Sequence, residues 1–162
     1  MSASVPDADQ ILGSMSIAAH EHHSELWAEL TVLENELVSA VAAGEDFSPY
    51  RDSFIGFLRD EIAQHLDAEQ TVLHSTARGV GAHRLVEVLD LDHQAIVALI
   101  ERLEGAATGL EAAMVSRSLV LLFALRMEKE ENVLLPLLRE AGVDVEGLLT
   151  GKAEITGTGE AR

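Results

Sequence analysis

Long helix-forming stretches, broken at only a few places, constrain this chain more than anything else in it. The three prolines, Pro6, Pro49 and Pro136, stand near the margins of segments rich in Leu, Ala, Glu and Val, residues that enter a helix at little cost. The first predicted helix spans about residues 9–43 and is closed by Gly44. The second starts at Ser48-Pro49, a cap residue followed by proline at the first helical position, and fades near Arg78-Gly79. A third covers about residues 82–104, and a fourth opens at Thr108-Gly109-Leu110-Glu111, which has capping-box spacing, and ends before Gly142. No strand pattern competes.

Short connections between long amphipathic helices favour antiparallel neighbours, so the expected fold is all-α, an up-down-up-down four-helix bundle with a short C-terminal tail. The bundle is assigned to residues 1–142 and an extension to residues 143–162, with a short helix near residues 145–149 and then a frayed or disordered end. A chain of 162 residues fits one domain and can bury a core without a staple, so a bound metal would serve function rather than folding.

Along a bundle helix the core stripe recurs at alternating steps of three and four residues. The first helix offers His23, Leu26, Leu30, Leu33 and Leu37, and the third Leu89, His93, Ile96, Ile100 and Leu103. The two patterns superpose with a shift of 70 residues (93 minus 23). The second helix offers Phe54, Leu58, Ile62, His65, Glu69 and Val72, and the fourth Leu119, Leu122, Arg126, Glu130, Val133 and Leu137. These superpose with a shift of 61 residues (126 minus 65), so the chain reads as a duplicated helix pair.

Two carboxylates thus aim inward, where an unpaired one would normally be neutralised, paired or bound to a cation. Glu69 follows His65 by one turn, about 40° around the helix, so both reach one point between helices. A lone core-facing histidine is usually a hydrogen-bonded core residue, and a lone glutamate usually rotates into solvent. Five such residues in duplicated register point instead to a metal site, with a buried His, Glu and Arg polar network as the alternative. The chain has no cysteine, which excludes thiolate zinc, iron-sulfur and disulfide chemistry and leaves imidazole and carboxylate, a donor set suited to iron, manganese or zinc.

Eleven Lys and Arg against 28 Asp and Glu give a formal charge of −17, which opposes nucleic acid and anionic lipid as partners and favours metal cations. The opening MSASVPDADQ has neither the basic region nor the apolar stretch of a signal peptide, and the longest apolar run, residues 119–125, is too short to span a bilayer. The expected location is cytoplasmic, with no membrane partner.

At these residues the sequence resembles the hemerythrin-like family, also called HHE cation-binding domains, over roughly residues 11–140. The family pattern places a histidine on the first helix, His-x-x-x-Glu on the second, a histidine on the third and His-x-x-x-Glu on the fourth, followed by an acidic residue, apolar residues and proline. The run Glu130-Glu131-Asn132-Val133-Leu134-Leu135-Pro136 is similar to that ending. The resemblance implies His23, His65, Glu69, His93 and Glu130 as ligands of a non-haem di-iron site, with Glu69 and Glu130 bridging. It also implies binding or sensing of O2, NO or redox state, or iron handling.

Arg126 departs from the pattern where the family has histidine, and a guanidinium offers no lone pair to a metal. By family geometry the loss falls on the iron served by the third and fourth helices, so one or two ions remain open. Two readings of Arg126 stand. It pairs with Glu130 in place of a second metal, or it leans away and opens a coordination position suited to an anionic ligand. His20 is the best candidate to replace the missing ligand, with a supporting or solvent-facing role as the favoured alternative. His22 lies off the stripe, His74 is expected to face solvent about 180° from His65, and His83 belongs to the start of the third helix. Competing functions are a metal-dependent oxidase or peroxidase acting on a small molecule at the open position, and a degenerate bundle kept for protein interactions. Oligomeric state is unassigned.

Overall fold

The computed structural model describes the backbone of residues 8–149 and the side chains of residues 22–149. The described residues are all helical apart from short connections, with no strand among them. Helix α1 (Ala8–Ala43) ends at Gly44, whose φ of 72° supplies the left-handed turn that an unbranched backbone adopts without strain. A second run follows: α2 (Ser48–Phe57), a π-helical turn (Leu58–Ala63), α3 (Gln64–Glu69), a second π turn (Gln70–His74) and α4 (Ser75–Gly79). Helix α5 (His83–Glu104) is the third run, and α6 (Gly109–Lys129), a π turn (Glu130–Leu134) and α7 (Leu135–Glu140) make the fourth. Gly142, at φ 79°, turns the chain into a last helical stretch, residues 145–149.

The predicted breaks are where the chain turns, with one shift. Phe47 rather than Ser48 occupies the cap position of the second run, and the Ser48 N–H donates to Asp46 Oδ1 at 3.0 Å. Thr108 caps the fourth run as expected, its hydroxyl accepting from the Glu111 N–H at 3.2 Å.

Cross-run contacts give the directions. His23 meets Glu131 and Glu34 meets Arg117, so the first and fourth runs are antiparallel. Arg59 pairs with Glu104 and His74 with Asp90, which sets the second run antiparallel to the third. Arg102 pairs with Glu111 and Lys129 with Asp92, which does the same for the third and fourth.

Two apolar clusters fill the interior. The larger joins Leu30, Leu37, Phe54, Ile62, Ile96, Leu103, Leu119 and Phe123 with their neighbours. The smaller joins Leu73, Ala77, Val86, Leu89, Leu134, Leu135, Leu138 and Val145. Val145, only 1% exposed, ties the stretch after Gly142 to the same core. Glu69 along the second run, and Arg126 and Glu130 along the fourth, are buried polar residues that fall between the buried residues of one cluster and those of the other, with His65 one turn before Glu69.

The π turns correct the predicted stripes. Downstream of Glu69 the buried residue is Leu73 rather than Val72, and downstream of Glu130 it is Leu134 rather than Val133, which is 48% exposed. A π turn closes with one extra residue, so everything beyond it lags by about 100° on the helical wheel. In the fourth run this widening also accommodates Pro136, whose ring would otherwise press on the carbonyl four residues earlier. The first run departs too. Glu34 is fully buried whereas Leu33 is only half-buried, and burial raises the Glu34 carboxyl above its ordinary range although Arg117 draws it back.

Candidate metal centre

His65 and Glu69 occupy successive turns of α3, the short α-helical piece held between two π turns. π turns often mark functional positions because they re-aim side chains without ending the helix. Here the result is close convergence. His65 Nε2 lies 2.5 Å from Glu69 Oε1, and His23 Nε2 from α1 lies 3.3 Å from the same oxygen. His23 Nε2 is also 3.7 Å from Glu130 Oε1, at the first position of the fourth-run π turn. All four residues are buried: His23 is 4% exposed, His65 8%, Glu69 1% and Glu130 2%. Their surroundings are apolar on one side, where the Phe123 ring stands edge-on to His65 with centroids 6.5 Å apart.

Two imidazole nitrogens on one buried carboxylate oxygen need positive charge between them, either a proton or a metal cation. One ligand atom each from His23, His65 and Glu69 lies within 4.8 Å of the others, the only such group among the described residues. The donor set fits a first-row divalent cation, so the residues present suit the metal their pattern implies. When bound, a metal ion of this kind supplies open coordination positions or redox chemistry. The protein residues fix the donors.

His23 is positioned from behind. Its Nδ1 donates to Glu131 Oε1 at 2.7 Å, because a carboxylate only accepts, and the Nε2 facing Glu69 Oε1 then either donates a second proton to it or gives its lone pair to a cation held between them. Burial opposes a charge on His23, but the Glu69 and Glu131 carboxylates outweigh it and raise the imidazole above its ordinary value. Glu131 lies one residue beyond Glu130 and off the predicted core stripe. The signal available was the acidic residue that follows Glu130 in the family ending.

Glu69 has a second side. Its Oε2 lies 3.4 Å from Arg126 Nη2, and Arg126 Nη1 donates to the Leu89 carbonyl of α5 at 2.8 Å. The guanidinium is 1% exposed, so it is a fixed interior cation that joins the second, third and fourth runs.

The remaining histidines separate by environment. His93, expected to be a ligand, is not in the convergent group; its Nε2 lies 3.5 Å from Oδ1 of the exposed Asp67, and its Nδ1 is buried with no hydrogen-bond partner. His74, expected to face solvent, is fully buried, and its Nδ1 donates to Asp90 Oδ1 at 2.8 Å. The correction has the same cause as the stripe slip: His74 closes the π turn that follows Glu69, and an extra residue in one turn brings it from about 180° to about 80° from His65. Asp90 also accepts from Gln70 at 3.3 Å and pairs with Arg78. His22 is exposed, with its ring centroid 5.1 Å from that of His65, and His83 begins α5 at the surface. The side chain of His20 lies outside the described residues.

Fold and centre together define an all-helical domain with a buried imidazole and carboxylate cluster shaped for a cation. The chain belongs to the hemerythrin family: the model of the hemerythrin HHE cation-binding domain matches residues 17–138, most of the chain. Membership implies binding of a metal cation. No curated protein and no solved structure matches the chain significantly. No helix among the described residues is long and apolar enough to cross a membrane.

Proposed function

We propose that this chain is a hemerythrin-like non-haem iron protein that binds or senses O2, NO or redox state, or handles iron, and that it works in the cytoplasm. The observation that carries the reading is the meeting of His23 Nε2 and His65 Nε2 at Glu69 Oε1 inside an HHE domain. Glu130, beside His23, is the next ligand in reach, and His93 enters only as the third-run ligand that the family pattern implies for a second ion. Manganese or zinc suits the same donors. The antiparallel contacts support an up-down-up-down bundle over residues 1–142, with residues 143–162 as an extension whose first turn packs on the core.

The test is elemental analysis of protein purified from its own host, with optical spectra recorded under argon, after air and after NO. Stoichiometric iron with a reversible gas-dependent absorption supports a carrier or sensor; protein without metal refutes the reading and leaves a salt-bridged scaffold. The second reading, a metal-dependent oxidase or peroxidase, is favoured by Arg126, which supplies no donor from the fourth run and so leaves coordination positions unfilled. Turnover of peroxide or of a small reductant by iron-loaded protein, absent in Glu69→Ala, supports it.

A further inference from the structure

We propose that the Arg126 guanidinium stands in for a second cation, so that the centre takes a single metal ion on its His23, His65 and Glu69 side. This rests on the proposed metal function and fixes its nuclearity.

The internal duplication aligns His65-x-x-x-Glu69 with Arg126-x-x-x-Glu130, so the fourth run carries a permanent cation where its repeat partner carries a metal donor. Geometry makes that substitution complete. Arg126 is held on α5 by the Leu89 carbonyl, and its other terminal nitrogen faces Glu69 Oε2, while Glu69 Oε1 faces the two imidazoles. The Glu69 carboxylate is therefore divided between a metal side and an arginine side. A bridging carboxylate would use the second oxygen for a second ion; here that oxygen already has its positive partner.

Arg126 is almost wholly buried and cannot lose its proton in a protein, so a further cation on that side would meet fixed like charge. His93, the third-run histidine on that half, has its Nε2 toward Asp67 and is not one of the residues whose donor atoms converge. Arg126 on α6 thus offers no donor and His93 on α5 lies outside the convergent group, so no nitrogen donor on that half joins the cluster at Glu69.

The experiment loads full-length protein anaerobically with excess Fe(II), and separately with Zn(II), removes weakly held metal by desalting and measures metal per chain by mass spectrometry. Wild type should hold one ion of either metal and, after oxidation of the iron, show the electron paramagnetic resonance of an isolated high-spin ferric ion. Arg126→His should raise the stoichiometry twofold and convert that signal to a coupled, silent pair. Arg126→Lys, which keeps the charge, should stay at one. Two tightly held ions in wild type overturn the inference and leave the metal function standing. No metal in wild type overturns both. If Arg126→His fails to fold, wild-type stoichiometry and spin state still decide.

Discussion

Replacing Arg126 with leucine tests how much of this interior depends on one buried charge. The side chains of Arg126 and Glu69 are 1% and 2% exposed, so neither loses its partner to water without cost. Leucine removes the donor to the Leu89 carbonyl and leaves Glu69 Oε2 without its cation. Breaking a buried ion pair from one side costs about 3–5 kcal/mol, because the remaining charge is stranded. For a domain of this size that corresponds to a fall in melting temperature of roughly 6 to 20 °C. The assay is urea and thermal unfolding of metal-free protein followed by circular dichroism, for wild type, Arg126→Leu, Glu69→Gln and the double variant. The double variant should be more stable than the sum of the single losses requires, with a coupling of about 1–3 kcal/mol, since removing both charges strands neither. A single-variant loss below about 1 kcal/mol, or strictly additive losses, would show that the Arg126 and Glu69 charges do not depend on each other.

Glu69→Ala should abolish tight metal binding, measured as metal per folded chain, whereas His74→Ala should keep the metal but lose about 2 kcal/mol or more of stability through its cavity and the lost hydrogen bond to Asp90, which keeps Gln70 and Arg78; equal metal loss would contradict the assignment. Burial holds the His74 imidazole below its ordinary value, Asp90 and Glu69 opposing this and Arg126 adding to it. The unfolded chain therefore takes up this proton first, and the His74 contribution is present above about pH 6.5 and lost as the pH falls toward the folded value, by at most about 1.4 kcal/mol per pH unit. Urea midpoints between pH 7.5 and 5.5 should fall less steeply for His74→Gln than for wild type, and parallel curves would refute the assignment. Truncation after residue 149 should leave folding and metal content unchanged, while truncation after Gly142 removes the buried Val145 and should cost at least about 1.5–3 kcal/mol in urea titration.

Much of the frame was legible because helix propensity, caps and breakers act over a few residues. Gly44, Thr108 and Gly142 end or begin helical runs where local chemistry requires it, and the cap shift from Ser48 to Phe47 is a single residue. The meeting of His65 with Glu69 was legible for the same reason: four residues along one helix are neighbours whatever surrounds them. Their convergence with His23 followed from antiparallel packing of stripes.

Tertiary structure decided everything that depends on rotation accumulated along a helix or on which neighbour stands opposite. Counting at 100° per residue fails beyond a π turn, which is why Leu73, Leu134 and His74 are buried where Val72, Val133 and a solvent-facing histidine were expected. Glu131 becomes the support of His23, and Arg126 the partner of Glu69 and Leu89, only because another run presents those groups at hydrogen-bonding distance. The sequence by itself determined which residues could share a face along one helix. Which charges and donors meet across the interior was settled by packing, since a buried polar group takes whatever partner the neighbouring helices bring within reach.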